Sequence, residues 1–214
     1  MRIIDMETWP RREHYNLFRT FNHPHFSMCA NMDATSFFQY VKEHHYSFTV
    51  SIAYLIARTA NTIPEYRQRI QGEKVVEYET VSPAYTILAN EDLFSFCTVD
   101  YVEDFQKFAV NAAEQVAKIK DKIDLDTKSE GDDLLFMSPI PWVSFTSFNH
   151  PMQFHPSDSV PRFAWGKIFE EGGKLKMPLQ SQGHHALMDG VHMGRFFDSF
   201  QKFMDQPEMV LGGK

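Results

Sequence analysis

The run Gln182-Gly183-His184-His185-Ala186-Leu187-Met188-Asp189-Gly190-Val191-His192 constrains the fold more than any other stretch of this chain. Two histidines are followed by an acid, four residues after the second, and then by a glycine. The pattern reads as the end of a strand, a turn at the glycine and entry into a helix. That helix spans Gly190 to Met204, and its Phe196, Phe200 and Phe203 recur at helical intervals. A strand-turn-helix of this kind presents an imidazole at the end of a rigid element. A neutral imidazole removes a proton at physiological pH, so His185 is a candidate general base. Asp189 stands where a carboxylate caps the helix that follows.

Upstream, strands and helices mix without strict alternation. Pro10, in Trp9-Pro10-Arg11-Arg12-Glu13-His14-Tyr15, suits the first turn of a helix. A strand from His25 to Met32 precedes a helix over Ala34–His44, with Asp33 as its cap. The low-charge stretch Phe48 to Asn61 carries Ile52, Leu55, Ile56 and Thr59 at helical spacing and reads as a buried helix. Lys74–Glu79, Ala84–Ala89 and Phe94–Val99 read as strands. A long amphipathic helix covers Val102–Ile123 with Phe105, Phe108, Ala112, Val116 and Ile119 inward, and Asp124–Asp133 reads as a solvated loop. Strands are expected again at Leu134–Met137, Trp142–Phe148, Arg162–Phe169 and Lys174–Gln182. This order predicts an α/β two-layer sandwich, a mixed β-sheet with flanking helices.

The 214 residues suffice for one domain, 1–214, with a sizeable core. Net charge is −7 and no basic cluster stands out, which argues against nucleic acid as a partner. No apolar stretch is long enough to cross a bilayer and no N-terminal apolar leader is visible, so no membrane role and a cytoplasmic address are expected. Cys29 and Cys97 lack metal-like spacing and read as reduced core residues. The ten histidines include neither a His-Glu-x-x-His nor any Cys-x-x-Cys partner motif, so no metal site is expected.

A base needs an oxyanion donor beside it if it is to move an acyl group, and such a donor is worth about 3–4 kcal/mol to the transition state. Ser138, stiffened by Pro139 and Pro141, offers a hydroxyl for that role. Read together, four groups resemble the trimeric chloramphenicol acetyltransferases. They are Trp9 with Arg11-Arg12-Glu13-His14, Ser138 with Pro141-Trp142-Val143-Ser144-Phe145, Trp165-Gly166-Lys167, and His184-His185 with Asp189-Gly190. The likeness covers nearly the whole chain. It implies the coenzyme A-dependent acyltransferase fold and an acetyl-CoA-dependent O-acetyltransferase, acting on chloramphenicol or a related small molecule. By that resemblance His185 takes the acceptor's proton, the hydroxyl attacks acetyl-CoA directly, and Ser138 donates to the oxyanion. Asp189 pairs with Arg11 to fix the loop, as a buried pair whose disruption costs roughly 3–5 kcal/mol. Phe18 and Phe94 line the acceptor pocket and Lys167 meets coenzyme A. The assembly implied is a homotrimer with sites at subunit interfaces, the histidine of one subunit facing the acceptor pocket of its neighbour.

Several positions depart from the family pattern. Ala164 stands where a threonine is usual, Phe18 where some members carry tyrosine, and Ser47 where members use a lysine near the coenzyme. Asn149 to Val160 follows the family poorly. Two other readings stay open: acyl transfer to an unrelated hydroxyl or thiol acceptor, and a non-catalytic small-molecule-binding protein on the same scaffold. A dihydrolipoyl acyltransferase core shares the histidine motif, but it usually opens that motif with Asp-His-Arg, which is absent here.

Overall fold

The computed structural model describes residues 1–90, 92–119, 122–123, 125, 131–153 and 158–212. In chain order its elements begin with β1 (Arg2–Ile3), α1 (Arg12–Phe18), β2 (His25–Asp33), α2 (Thr35–Glu43) and α3 (Phe48–Asn61). A 3-10 turn over Pro64–Arg67 leads to β3 (Gln68–Gln71), β4 (Lys74–Glu77), β5 (Ser82–Asn90), β6 (Leu93–Thr98) and α4 (Phe105–Ile119). Then come β7 (Leu134–Ile140), β8 (Arg162–Gly166), β9 (Phe169–Glu171), β10 (Lys174–His184), α5 (Gly190–Asp205) and α6 (Glu208–Leu211).

The main sheet runs β2-β10-β8-β7-β5-β6, with β9 paired to the start of β10. β5–β7 and β7–β8 are parallel and the other pairs antiparallel, which makes the sheet mixed. Successive side chains of a strand face opposite ways. Tyr85, Met137 and Phe163 therefore share one face, with Trp165 and Leu179 in the next row, and all are buried in the main core. Helix α3 packs against that face. It is buried almost all round because it carries few charges, and the Ser47 side chain accepts from the Val50 amide at its start. Helix α5 adds Phe196 and Phe200, both fully buried, each worth about 1.5–3 kcal/mol relative to exposure. The alternate residues Phe136, Ser138, Ala164 and Gln180 face away from these helices.

A second, three-stranded sheet in the order β1-β4-β3 lies beside α1. Sequence periodicity gives only its β4, expected over Lys74–Glu79, because β1 and β3 are short and β3 is polar. Its Arg69 is fully buried, yet its guanidinium donates to the carbonyls of Tyr66, Gln68, Asp132 and Leu134. Val75 of β4 joins Tyr15, Ala186 and Leu187 in a small separate core.

Four expectations are corrected. Trp142–Phe148 is a turn and extended chain, not a strand. Its β-favouring side chains yield to tertiary contact: the Lys167 amide donates to the Val143 carbonyl at 2.9 Å, and the Ser144 hydroxyl donates to the Lys167 carbonyl. Gly166 permits that approach, since a Cβ there would lie 2.8 Å from the Val143 oxygen. For the same reason the expected strand Arg162–Phe169 breaks in two. Asp33 does not cap α2, whose cap position is Ala34; it takes the Thr35 amide and hydroxyl and pairs with Lys174. Helix α4 is shorter than expected at both ends, and residues 124 and 126–130 of the expected acidic loop lie outside the described residues. Cys97 is buried, Cys29 half-buried, and neither forms a disulfide.

Candidate active site

Strand β10 ends at His184, paired across to His25 of β2. The turn begins at His185 itself, and Gly190 is the first residue of α5 rather than the turn residue. Gly183 serves this turn. A Cβ at that position would meet the Met188 sulfur at 2.1 Å, so any side chain there would force Met188 to shift from its place across the strand in the main core. Ala186 and Leu187 point the other way into the small core with Tyr15 and Val75. The loop is thus clamped between two apolar clusters.

Its backbone is equally constrained. The amides of Leu187 and Met188 donate to the His184 carbonyl, and that of His185 to the Pro24 carbonyl at 2.8 Å. The Ala186 amide donates to Nδ1 of His184, and the Asp189 amide to Nδ1 of His192 at 2.8 Å. Every amide from 185 to 189 has a partner, which is how a buried loop avoids the cost of orphaned donors. Arg11 supplies the rest. Its Nε donates to the Ala186 carbonyl, Nη2 donates to the His185 carbonyl at 2.8 Å and to Asp189 Oδ1 at 2.6 Å, and Nη1 donates to Asp189 Oδ2.

This fork holds the Asp189 carboxyl below its usual range, the Arg11 hydrogen bonds being the largest cause and burial opposing them. The Asp189 side chain is 31% exposed and that of Arg11 11%, so the pair is only half-buried. Losing one partner then costs the smaller figure for charge-assisted hydrogen bonds, about 1.5–3 kcal/mol, rather than that for a fully buried pair.

These contacts fix the state of His185. Its Nδ1 lies 3.2 Å from the Met188 carbonyl, which can only accept. Nδ1 therefore carries the proton in the neutral ring, and Nε2 is left with a lone pair. Asp189 Oδ1 is also 3.1 Å from Nδ1, nearer than a purely structural partner of Arg11 need be. Phe18 stacks on the imidazole with centroids 3.9 Å apart and planes 10° apart, and Phe26 packs against it at 4.6 Å. Among the described residues Nε2 has no hydrogen-bond partner, and a third of the side chain is exposed. His184, in contrast, is buried edge-on against His25, and burial pushes its pKa down to about 3.

The remaining predicted residues lie elsewhere. Ser138 sits in β7 opposite the fully buried Ala164 of β8, which faces Gln180 of β10, five residues before His185. Two strand spacings across and five residues along put Ser138 roughly 15–20 Å from His185. Its half-buried hydroxyl has no partner among the described residues. Phe94 lies on the edge strand β6, 45% exposed, and Lys167 is exposed just after β8. The structure brings Arg11, Phe18, His185 and Asp189 together; Ser138, Phe94 and Lys167 stand apart from them in the same chain.

Residues 1–201 match the profile of the chloramphenicol acetyltransferase family. The chain belongs to that family. A chloramphenicol acetyltransferase from Proteus mirabilis is 33% identical over 205 residues, 95% of this chain and 94% of the relative. One from Clostridium perfringens is 29% identical over 99% of this chain and 98% of its own. A solved chloramphenicol acetyltransferase superposes with a TM-score of 0.89 at 30% identity, covering 95% of this chain and 99% of its own. The dihydrolipoamide acetyltransferase of Azotobacter vinelandii shares the fold at a TM-score of 0.66 and 16% identity. The mixed sheet with flanking helices is therefore that of the coenzyme A-dependent acyltransferases, and the chloramphenicol acetyltransferase family is a family of acyltransferase enzymes.

Sequence reasoning missed the parts that fix the histidine of this acetyltransferase-family chain: the Met188 carbonyl, Gly183, Phe26 and His192. Of these only His192 left a signal. Asp-x-x-His at a helix start has capping-box spacing, with histidine in place of the usual Glu or Gln. Among the described residues no group of three or more His, Cys, Asp or Glu is placed to hold a metal. No helix of the described residues is long and apolar enough to cross a membrane.

Proposed function

We propose that this chain is an acetyl-CoA-dependent O-acetyltransferase acting on a hydroxyl of chloramphenicol or a related small molecule. The observation that carries the reading is the 3.2 Å contact of His185 Nδ1 with the Met188 carbonyl, which gives the neutral ring its proton on Nδ1 and leaves Nε2 open. Nε2 takes the acceptor's hydroxyl proton as the oxygen attacks the thioester carbon. The resulting oxyanion accepts a hydrogen bond from Ser138. Collapse breaks the carbon–sulfur bond, and the imidazolium returns its proton to the departing thiolate, leaving acetylated product, free thiol and a neutral ring. Arg11 and Asp189 hold the loop throughout and are not consumed.

Base and oxyanion donor must each lie about 3 Å from the reacting atoms. At roughly 15–20 Å within one chain they cannot, so His185 of one subunit works with Ser138 of a neighbouring copy. A homotrimer closes such head-to-tail contacts into a ring of three equivalent sites. The exposed side chains support this. Leu88, Phe94, Trp142 and Val143 are 45–65% exposed at the Ser138 end of the sheet, the surface expected of an interface. Phe18 then walls the acceptor pocket on the histidine side and Phe94 on the other, with Lys167 placed for coenzyme A. Cys29 and Cys97, neither in a disulfide, accord with a cytoplasmic enzyme.

Purified protein, acetyl-CoA and chloramphenicol with a thiol-release readout test the reading. The wild type is expected to turn over and His185→Ala to lose at least the ~10²–10⁴-fold that general-base catalysis supplies. Equal transfer before and after that change would defeat it.

A further inference from the structure

The Arg11 fork is one of two devices that hold Asp189. The second is His192, in the first turn of α5. Its Nδ1 accepts the Asp189 backbone amide at 2.8 Å, and its Nε2 faces Glu65 Oε1 of the 3-10 turn at 3.4 Å. An amide can only donate, so Nδ1 must be unprotonated, and the neutral ring carries its proton on Nε2, towards the carboxylate. His192 and His185 are thus opposite tautomers on either side of Asp189, each set by one backbone group.

The surroundings keep His192 neutral. Burial is the largest influence and lowers its pKa; Arg11 and Arg195 push the same way, against Glu65 and Asp189. A cation at the start of α5 would also oppose the helix dipole. His14, Trp9, Gln68 and Glu65 line a cleft of about 270 Å³ on the outer side of His192, so water has a route to this pair.

We propose that His192 is a positioning residue for acyl transfer, fixing through the Asp189 backbone the carboxylate on which Arg11 and the His185 loop are anchored. The inference deepens the acyltransferase reading and rests on it. If Nδ1 is lost or protonated, the Asp189 amide is orphaned and the end of the loop moves. Such displacement of a base costs rate without touching the binding of either substrate.

Two variants and one spectrum test it. His192→Leu keeps bulk and removes the acceptor; kcat should fall about 10- to 100-fold with both KM values within about twofold. His192→Gln restores an acceptor at the usual capping-box position and should recover kcat to within about threefold of wild type. A leucine variant with wild-type kcat, or a glutamine variant as impaired as leucine at equal thermal stability, overturns the proposal. Should the leucine variant fail to fold, ¹⁵N-histidine NMR of the wild type decides. His192 is expected as the neutral Nε2–H tautomer at pH 7 and His185 as Nδ1–H. A protonated His192, or one carrying its proton on Nδ1, overturns the proposal whether or not the wild type transfers acetyl groups, whereas an inactive wild type with the expected tautomers refutes only the activity reading.

Discussion

The His185 loop and the Ser138 segment differ in how completely one chain finishes them. Around His185 all five amides from 185 to 189 are taken up, both neighbouring side-chain clusters are packed, and the ring's tautomer is set. Around Ser138 the hydroxyl has no partner among the described residues, and Trp142 and Val143, four and five residues further along the chain, stand 65% and 53% exposed. The first region is built like a core and the second like half of an interface. The contrast teaches that the base is preorganised by the fold, whereas the oxyanion donor becomes part of a site only on assembly.

Four sets of changes break or sharpen that contrast. The largest effect belongs to Ser138→Ala. It should cost about 10²–10³-fold in kcat, as for other single oxyanion donors, while the thermal midpoint stays put because nothing in the chain depends on that hydroxyl. A clear drop in stability would mean that Ser138 is a structural residue.

Next comes the Arg11 fork. Arg11→Met should destabilise by about 1.5–3 kcal/mol and lower kcat, measured by urea unfolding and the thiol-release assay. Asp189→Asn should behave similarly. The double variant should cost far less than the sum, since the two side chains form one unit. Additive losses would separate them.

Acid stability discriminates more finely. The unfolded chain takes up protons below about pH 6.5 that buried histidines refuse, His184 down to about 3 and His150 to about 4, burial being the main cause for each. Both rings have folded values below the unfolded one, so stability is full above about pH 6.5. It then falls by up to about 1.4 kcal/mol per pH unit for each ring. His184 belongs to the finished loop, and His150, bonded to Gln180, covers the other face of the sheet. His184→Asn should flatten the acid limb of stability measured by urea midpoints from pH 7 to 5; an unchanged slope would show that His184 is not buried neutral.

The smallest effect is that of Lys167→Ala. This exposed cation should change the KM for acetyl-CoA by a few-fold at most, and less at high salt, where a surface charge is screened. A change in kcat alone would place Lys167 nearer the reacting atoms.

The same contrast explains what the sequence made legible. The His185 region announces itself through local rules. A strand ends, the acid and glycine follow at fixed offsets, and α5 shows its Phe196 and Phe200 stripe, so the elements were readable from local pattern, whereas the pairing of Arg11 with Asp189, 178 residues apart, came only from the family resemblance. Helix α3 is bounded by Phe48 and Asn61 as its low charge predicts. Two misread strands, Trp142–Phe148 and Arg162–Phe169, lie in the other region. The aromatic and hydroxyl side chains of 142–148 have strand propensity, but Gly166 lets the Val143 carbonyl capture the Lys167 amide, a contact that no local pattern encodes. Of the small sheet only β4 was read, as Lys74–Glu79; β1, of two residues, and the polar β3 carry too little periodicity, and Arg69 reads as a surface residue until its four carbonyl partners are seen. His192 went unread because histidine is an unusual residue for a capping box.

Mixing two inactive proteins tests the shared site most directly. His185→Ala and Ser138→Ala subunits, each defective alone, are unfolded together, refolded and assayed for acetyl transfer. In random trimers about one site in four joins an intact His185 from one chain with an intact Ser138 from the next, so activity should return to about a quarter of wild type. If the mixture does no better than the average of its two parents, each site is confined to one chain and the proposed shared site is wrong.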